Sequence, residues 1–132
     1  MTLPCEIAVK CLLPPVRAMT AKILVSKYNL RQTEAAKRLG VSQPAISLYE
    51  KKMRGRAISF ESSPEIAELI ENLARSIARG GFSRRDFFQR FCEICRVARA
   101  KGLLCQLHKN LDPKIAAEGC ELCIDVEASR CF

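Results

Sequence analysis

The sequence predicts an all-α fold, with an N-terminal helical domain at residues 1–60 and a second helical, cysteine-rich region at residues 61–132. Apolar residues recur every three or four positions through most of the chain, which is the period of one buried helix face. Serine or proline precedes several of these stretches and glycine follows them, in the order that favours helix starts and helix ends. Apolar residues make up 48 % of the 132 residues, which is enough to form a core.

The first half of the chain is expected to contain three helices. A proline pair opens the first, at residues 15–28, because proline is tolerated in a first helical turn. The second helix covers residues 32–39 and ends at Gly40. The third begins after Ser42, whose side chain is a good N-terminal cap.

Two longer helices are expected beyond a basic loop or short strand at residues 53–63. The first, at residues 64–79, follows a serine cap and has an apolar stripe that forms either the domain core or a dimer interface. The second, at residues 84–100, begins with Ser83 and Asp86 in the arrangement of a capping box. After this helix the periodicity breaks into short pieces.

Residues 32–51, with the sequence QTEAAKRLGVSQPAISLYEK, have the spacing of a helix-turn-helix motif. Ala36 is the small residue where the two helices touch, and Gly40 lies in a turn that favours a positive φ. Val41 and Ile46 are apolar at the positions that face the shared core. In this motif the second helix enters the major groove of DNA.

This stretch resembles the Cro/phage-repressor-like regulators of the XRE type, and more closely a group of small archaeal transcriptional regulators. In that group a motif like QTEAAKRLGVSQPAIS follows a leading helix and precedes a cysteine-bearing tail, and the similarity here covers about residues 14–56. The resemblance implies that the helix after Ser42 reads double-stranded DNA, with Gln43 suited to a bidentate contact with adenine. The expected DNA-contacting residues are Thr33, Ser42, Gln43, Pro44, Ser47, Lys51, Lys52, Arg54 and Arg56.

The distribution of charge agrees with a first half that meets an anionic partner. Residues 1–63 carry eleven basic and four acidic groups, a balance of +7, whereas residues 64–91 carry +1 and residues 92–132 are balanced. A basic surface attracts nucleic acid and anionic membranes alike, so the charge alone does not identify the partner. The helix-turn-helix motif favours nucleic acid. The alternative is a helix-turn-helix that contacts protein, with its lysines on a solvated face.

The cysteines are concentrated at the other end of the chain. Six of the eight lie between Cys92 and Cys131. The N-terminus does not have the pattern of a secretory signal, so the protein is expected in the cytoplasm. In that reducing compartment, paired short spacings such as Cys92–Cys95 and Cys120–Cys123 more often bind metal than form disulfides.

The expected metal ligands are Cys92, Cys95, Cys105, Cys120 and Cys123. Cys92 and Cys95 share a helix face, with Cys95 turned toward the interior, although either can be a buried thiol instead. Four of these cysteines, preferably Cys95, Cys105, Cys120 and Cys123, suit zinc or an iron–sulfur cluster. If His108 takes the place of Cys95, the set is that of a zinc knuckle. A lone histidine, however, is more often at the surface, or behind a metal ligand, than a ligand itself. The resemblance favours an iron–sulfur cluster, of the four-iron–four-sulfur type, over zinc.

The sequence therefore favours a homodimeric DNA-binding regulator whose cluster senses redox state or iron, with the helices at residues 64–79 and 84–100 as the dimer contact. The alternatives are a DNA-binding protein with a structural zinc site and a zinc-tailed adaptor that binds another protein. A redox enzyme is disfavoured because no strand–helix–strand unit accompanies the C-x-x-C pairs. Without a catalytic constellation or a long apolar run, no enzyme activity, small-molecule substrate or membrane partner is expected.

Overall fold

The computed structural model describes residues 3–50, 63–105, 108–109, 113–114 and 118–120, and every element in this part is helical. A short α1 (Pro4–Ile7) leads through a π-helical segment (Ala8–Leu12) into α2 (Leu13–Ser26), and then follow α3 (Gln32–Leu39), α4 (Gln43–Glu50), α5 (Pro64–Arg79) and α6 (Arg84–Ala100). The all-α prediction is confirmed. Most of the loop or strand expected at residues 53–63 lies outside the described residues.

The first long helix starts close to where the proline pair predicts it, because α2 begins at Leu13 with proline in its first turn. The sequence did not predict that helical structure already begins at Pro4 and continues into α2. At the end of the π-helical segment the Leu13 N–H donates to the Ala8 carbonyl, five residues back. Prolines have no N–H, and here they follow the point where the hydrogen-bond ladder changes register. The wider π-turn thus lets the chain pass through Pro14 and Pro15 without ending the helix.

The sharp corner between α3 and α4 depends on Gly40, which has φ 69°. The N–H of Val41 donates to the Ala36 carbonyl at 3.0 Å, and the N–H of Gly40 donates to the Lys37 carbonyl at 3.3 Å. This is the Schellman arrangement, which favours glycine because its left-handed residue carries no Cβ. On the far side of the corner, the Ser42 hydroxyl accepts from the Ala45 N–H at 3.3 Å, as expected for a helix cap.

The fifth helix, α5, packs against both α2 and α6. Its residues Ile66, Ile70, Leu73 and Ile77 are fully buried in the same apolar cluster as Ile46 of α4. Of the two roles left open for this stripe, the structure supports the core rather than a dimer interface. The division of the chain between residues 60 and 61 stays a prediction.

The two long helices differ in how their N-termini are capped. At α6 the expected capping box is present: the Ser83 hydroxyl accepts from the Asp86 N–H at 3.1 Å, and the Asp86 carboxylate accepts from the Ser83 N–H at 2.9 Å. At α5 the expected cap is wrong, because Ser63 has ψ 80° and its side chain makes no capping bond. Only its backbone carbonyl joins the helix, by accepting from the Ala67 N–H.

None of the helices in the described part of the chain has both the length and the apolar content that crossing a membrane requires.

Candidate nucleic-acid interface

The N-terminus of α4 presents polar groups to solvent on one side and buries apolar groups on the other. Ser42, Gln43 and Pro44 are exposed, whereas Ala45 and Ile46 are buried against α2 and α3. This follows from the helical period, because the buried positions recur on one face and leave the first turn outside the core. The first turn of α4 can therefore contact an external partner without disturbing the packing of the motif.

Gln43 is held in place by a residue that the sequence interpretation did not select. Its Nε2 donates to Oε1 of Gln32 at 2.7 Å, which joins the first residue of α4 to the first residue of α3. A carboxamide has two N–H donors and one acceptor oxygen, so Gln43 keeps a donor and its acceptor for a further contact. The signal in the sequence was that both helices of the motif begin with glutamine.

The N-terminus of α3 lies beside this pair and lacks a side-chain cap. Arg31 precedes the helix in an extended conformation (φ −67°, ψ 150°) and makes no capping hydrogen bond. The first backbone N–H groups of a helix have no intrahelical partner and attract anions. Together with the exposed hydroxyl of Thr33, they form a donor set suited to a phosphate oxygen.

The remaining expected DNA contacts are only partly covered by the described residues. Ser47 lies one turn further along α4 and is half-buried. The basic residues expected to contact the backbone lie outside the described residues; they are Lys51, Lys52, Arg54 and Arg56.

Arg38 connects the motif to the rest of the molecule. Its Nη1 donates to the carbonyls of Ile77 and Ala78 at 3.0 Å each, at the C-terminus of α5. Its Nε donates to Oε1 of Glu34 at 2.8 Å, and this hydrogen bond holds the pKa of Glu34 below its ordinary value. A guanidinium near the last carbonyls of a helix is favourable because that end carries partial negative charge.

The described cysteines are distributed over α6 and the segment after it. Cys95 is 8 % exposed, Cys92 is half-buried on the same helix, and Cys105 and Cys120 are also half-buried; Cys123 lies outside the described residues. This agrees with the expectation that Cys95 faces the interior and Cys92 the margin. Over the stretches that the structure describes, no three cysteine, histidine or acidic side chains are grouped so that they could hold a metal ion.

His108 is 5 % exposed, so of the two non-ligand positions expected for it, at the surface or behind a metal ligand, burial excludes the surface. The backbone N–H of His108 donates to the Leu104 carbonyl at 2.8 Å, and Leu104 is buried as well. Both residues follow Gly102, which ends α6 with φ 75°. The chain thus folds back onto the core after α6, and the histidine is carried inside with it.

A family model described as helix-turn-helix matches residues 21–71, which is less than half of the chain. The match includes α3, α4 and the first half of α5. Among curated proteins and solved structures, no significant match to the chain is found. The family match supports a DNA-binding transcriptional regulator of the XRE type.

Proposed function

We propose that the protein is a homodimeric, sequence-specific transcriptional regulator that acts on cytoplasmic DNA and reads the major groove with the N-terminus of α4. The observation that carries this proposal is the exposed pair of glutamines, Gln32 and Gln43, joined at the first turns of α3 and α4. Behind this pair, the buried side of the motif is fixed to α2 and α5, so the donors and acceptors are presented from a rigid base.

The contacts divide into one that reads sequence and several that set position. Gln43 is the residue that reads a base edge, because a carboxamide pairs with the N6 and N7 groups of adenine. Thr33, Ser42 and Ser47 supply hydroxyl donors to phosphates, and Pro44 offers an apolar contact beside them. Lys51, Lys52, Arg54 and Arg56 follow α4 in the sequence and supply the charge that holds the DNA backbone.

Dimerisation is proposed because one short recognition helix covers only one half-site. Helix-turn-helix dimers place two such helices in successive major grooves, about 34 Å apart. The apolar stripe of α5 lies in the core, which leaves α6 as the preferred contact between two copies. Light scattering is expected to give twice the chain mass of 14.8 kDa, and a monomer at high protein concentration contradicts this part of the proposal.

Substitution of the base-reading residue tests the DNA-binding proposal. A duplex is first selected from a random library with the full-length protein, and its affinity is then measured by fluorescence anisotropy. We expect Gln43→Ala to weaken binding by about 1–3 kcal/mol and to relax the preference at one base pair. Glu68→Gln, which alters an exposed side chain of α5 and keeps its size, is the control and should bind as the unmodified protein does.

The dependence on salt provides a second readout in the same assay. If the basic residues contact six or more phosphates, affinity falls roughly 10³-fold or more between 50 and 200 mM salt. If the selection yields no preferred duplex, or if the affinity does not change with salt, the result contradicts the proposal. Equal weakening by Gln43→Ala on all sequences assigns that residue to a phosphate rather than to a base.

We further propose that the C-terminal cysteines hold an iron–sulfur cluster that senses redox state or iron. The support is their spacing together with their place in the fold: Cys92 and Cys95 lie one turn apart on α6, which packs on α5. Through α5 and Arg38, a change in the fold around the cluster can reach the motif. The further ligands in this proposal are Cys105, Cys120 and Cys123.

Metal analysis of anaerobically purified protein tests the cluster. We expect iron and sulfide with absorption near 400 nm, and we expect Cys123→Ser to lose both, whereas Cys5→Ser, at an exposed position on α1, should keep them. A colourless protein that contains zinc supports a structural knuckle instead. Unchanged iron in Cys123→Ser contradicts the ligand assignment.

A further inference from the structure

A groove of about 480 Å³ opens between the end of α3 and the start of α6. Its volume lies within the range of small-molecule sites in proteins. Arg17 of α2 lies at one side, Lys37 and Arg38 of α3 line another, and Arg84 and Phe88 of α6 close it. Along α3 the groove extends from the C-terminal end to Glu34 in the first turn, next to the proposed DNA contact Thr33.

The groove is strongly cationic. Four of its lining residues are basic, and Glu34 is its one carboxylate. That carboxylate is already paired with Arg38, whose other donors serve the carbonyls of α5. In the part of the chain that the structure describes, no ion pair holds Arg17, Lys37 or Arg84, so the basic side chains that line the groove outnumber its one carboxylate.

One of these cations has a buried donor that needs an acceptor. Nε of Arg17 is inaccessible to solvent and has no hydrogen-bond partner in the structure. An unpaired charged donor lowers the stability of the folded protein more when it is buried than when it is at the surface. The buried donor has lost its hydrogen bonds to water and has formed none in their place. Arg17 also lines the groove, so an anion bound there would lie beside its guanidinium and balance its charge.

The groove also has an aromatic wall. Phe82 and Phe87 are half-buried, and Phe88 is 61 % exposed at the edge. Phe87 already stacks in parallel on Phe91, with the ring centroids 6.4 Å apart. Phe88 thus offers a ring face to a planar ligand, and a large exposed aromatic beside cations is typical of a ligand-binding surface.

We propose that this groove binds a small ligand that combines a phosphate with a planar aromatic ring, of which a nucleoside monophosphate is the simplest. Arg17, Lys37 and Arg84 bind the phosphate, and Phe88 stacks on the ring. A phosphate of the DNA backbone is the other source of the same anion. The aromatic wall favours the free ligand, because the bases of a duplex are stacked on one another and cannot reach Phe88 while their phosphate lies on Arg84.

Calorimetric titration of the full-length protein tests the proposal in the absence of DNA, so its outcome is independent of the proposed function. The probes are AMP, GMP, CMP and UMP, with inorganic phosphate and adenosine as partial ligands. We expect saturable binding of at least one monophosphate, at least tenfold tighter than of either partial ligand. We expect Arg84→Ala and Phe88→Ala, both at exposed positions, each to weaken this binding at least tenfold.

Lys22→Ala is the matched control, since Lys22 is an exposed cation of α2 that does not line the groove, and it should bind the monophosphate normally. Absence of saturable binding for all four monophosphates overturns the proposal. The proposal is also overturned if the protein binds no nucleotide and Arg84→Ala loses affinity for DNA, because the groove then contacts the DNA backbone. If Phe88→Ala changes the mass of the assembly in solution but leaves the nucleotide affinity unaltered, the stacking role is overturned and Phe88 belongs to a contact between copies.

Discussion

At the scale of single residues, the carboxylate of Asp86 shows how one side chain fixes the start of a long helix. The backbone N–H of Ser83 and the Ser83 hydroxyl both donate to this carboxylate. These hydrogen bonds, the backbone one most strongly, hold the pKa of Asp86 below its ordinary value of 3.8. The negative charge also lies in the first turn of α6, where the helix dipole favours an anion. The cap therefore stabilises the folded protein only while Asp86 is ionised.

The sign of this pKa shift predicts how stability depends on pH. Because the pKa is lower in the folded state, the contribution of Asp86 is complete above 3.8 and is lost as pH falls through the folded value. We expect the urea midpoint of the unmodified protein to exceed that of Asp86→Asn by a constant amount between pH 7 and pH 5. The difference should shrink below pH 4, and a difference that does not change with pH contradicts the proposed cap.

The residues that were predictable from the sequence are those whose roles depend on near neighbours. The Ser83 cap and the Gly40 turn each depend on partners within five residues, so a short pattern was sufficient. Gln32 was missed because its partner is eleven residues away, and Arg38 because its partners are 39 and 40 residues away. No local pattern shows which carbonyls will lie near a guanidinium after folding.

At the scale of elements, side-chain contacts join both halves of α5 to the first half of the chain. Lys27, which follows α2, pairs with Glu71 at 3.1 Å, and Arg38 of α3 caps the last carbonyls of α5. The Lys27 pair is exposed and contributes little, as surface ion pairs generally do. The Arg38 contact is partly buried and satisfies two carbonyls at once, so it is the stronger connection between α3 and α5.

Removing the donors of Arg38 tests this connection. We expect Arg38→Met, which keeps much of the side-chain volume, to lower the free energy of unfolding by about 1–3 kcal/mol, because two carbonyls lose a charged donor. Lys37→Met is the matched control at the neighbouring exposed position and should change it by less than about 0.5 kcal/mol. Chemical denaturation measures both, and equal effects contradict the role assigned to Arg38.

The helices with a simple apolar period and the start of α2 were predicted closely, but the helical segment before α2 was not predicted. The structure has α5 at Pro64–Arg79 and α6 at Arg84–Ala100, which are the expected ranges. The segment before α2 was missed because proline normally marks a helix start, whereas here a π-turn precedes the proline pair and continues into α2. A π-turn is set by how the chain packs on the core, and the sequence pattern alone does not reveal it.

At the scale of the whole molecule, one continuous core joins the DNA-binding motif to the cysteine-bearing helix. Buried residues from Ile7 to Leu104 form a single cluster, with α5 between α2 and α6. The excess positive charge lies in residues 1–63, on the side of the chain that carries the motif. This arrangement lets a ligand or cluster near α6 alter how the motif is presented, because α6 packs directly on α5.

The most direct test of the central claim, that the first turn of α4 reads the major groove, uses modified bases in the selected duplex. Replacing adenine by 7-deazaadenine removes an acceptor in the major groove, and replacing it by 3-deazaadenine removes one in the minor groove. We predict that 7-deazaadenine at one position weakens binding of the unmodified protein but not of Gln43→Ala, whereas 3-deazaadenine has no effect. Loss of affinity with 3-deazaadenine alone, or equal loss in both proteins, would contradict the account.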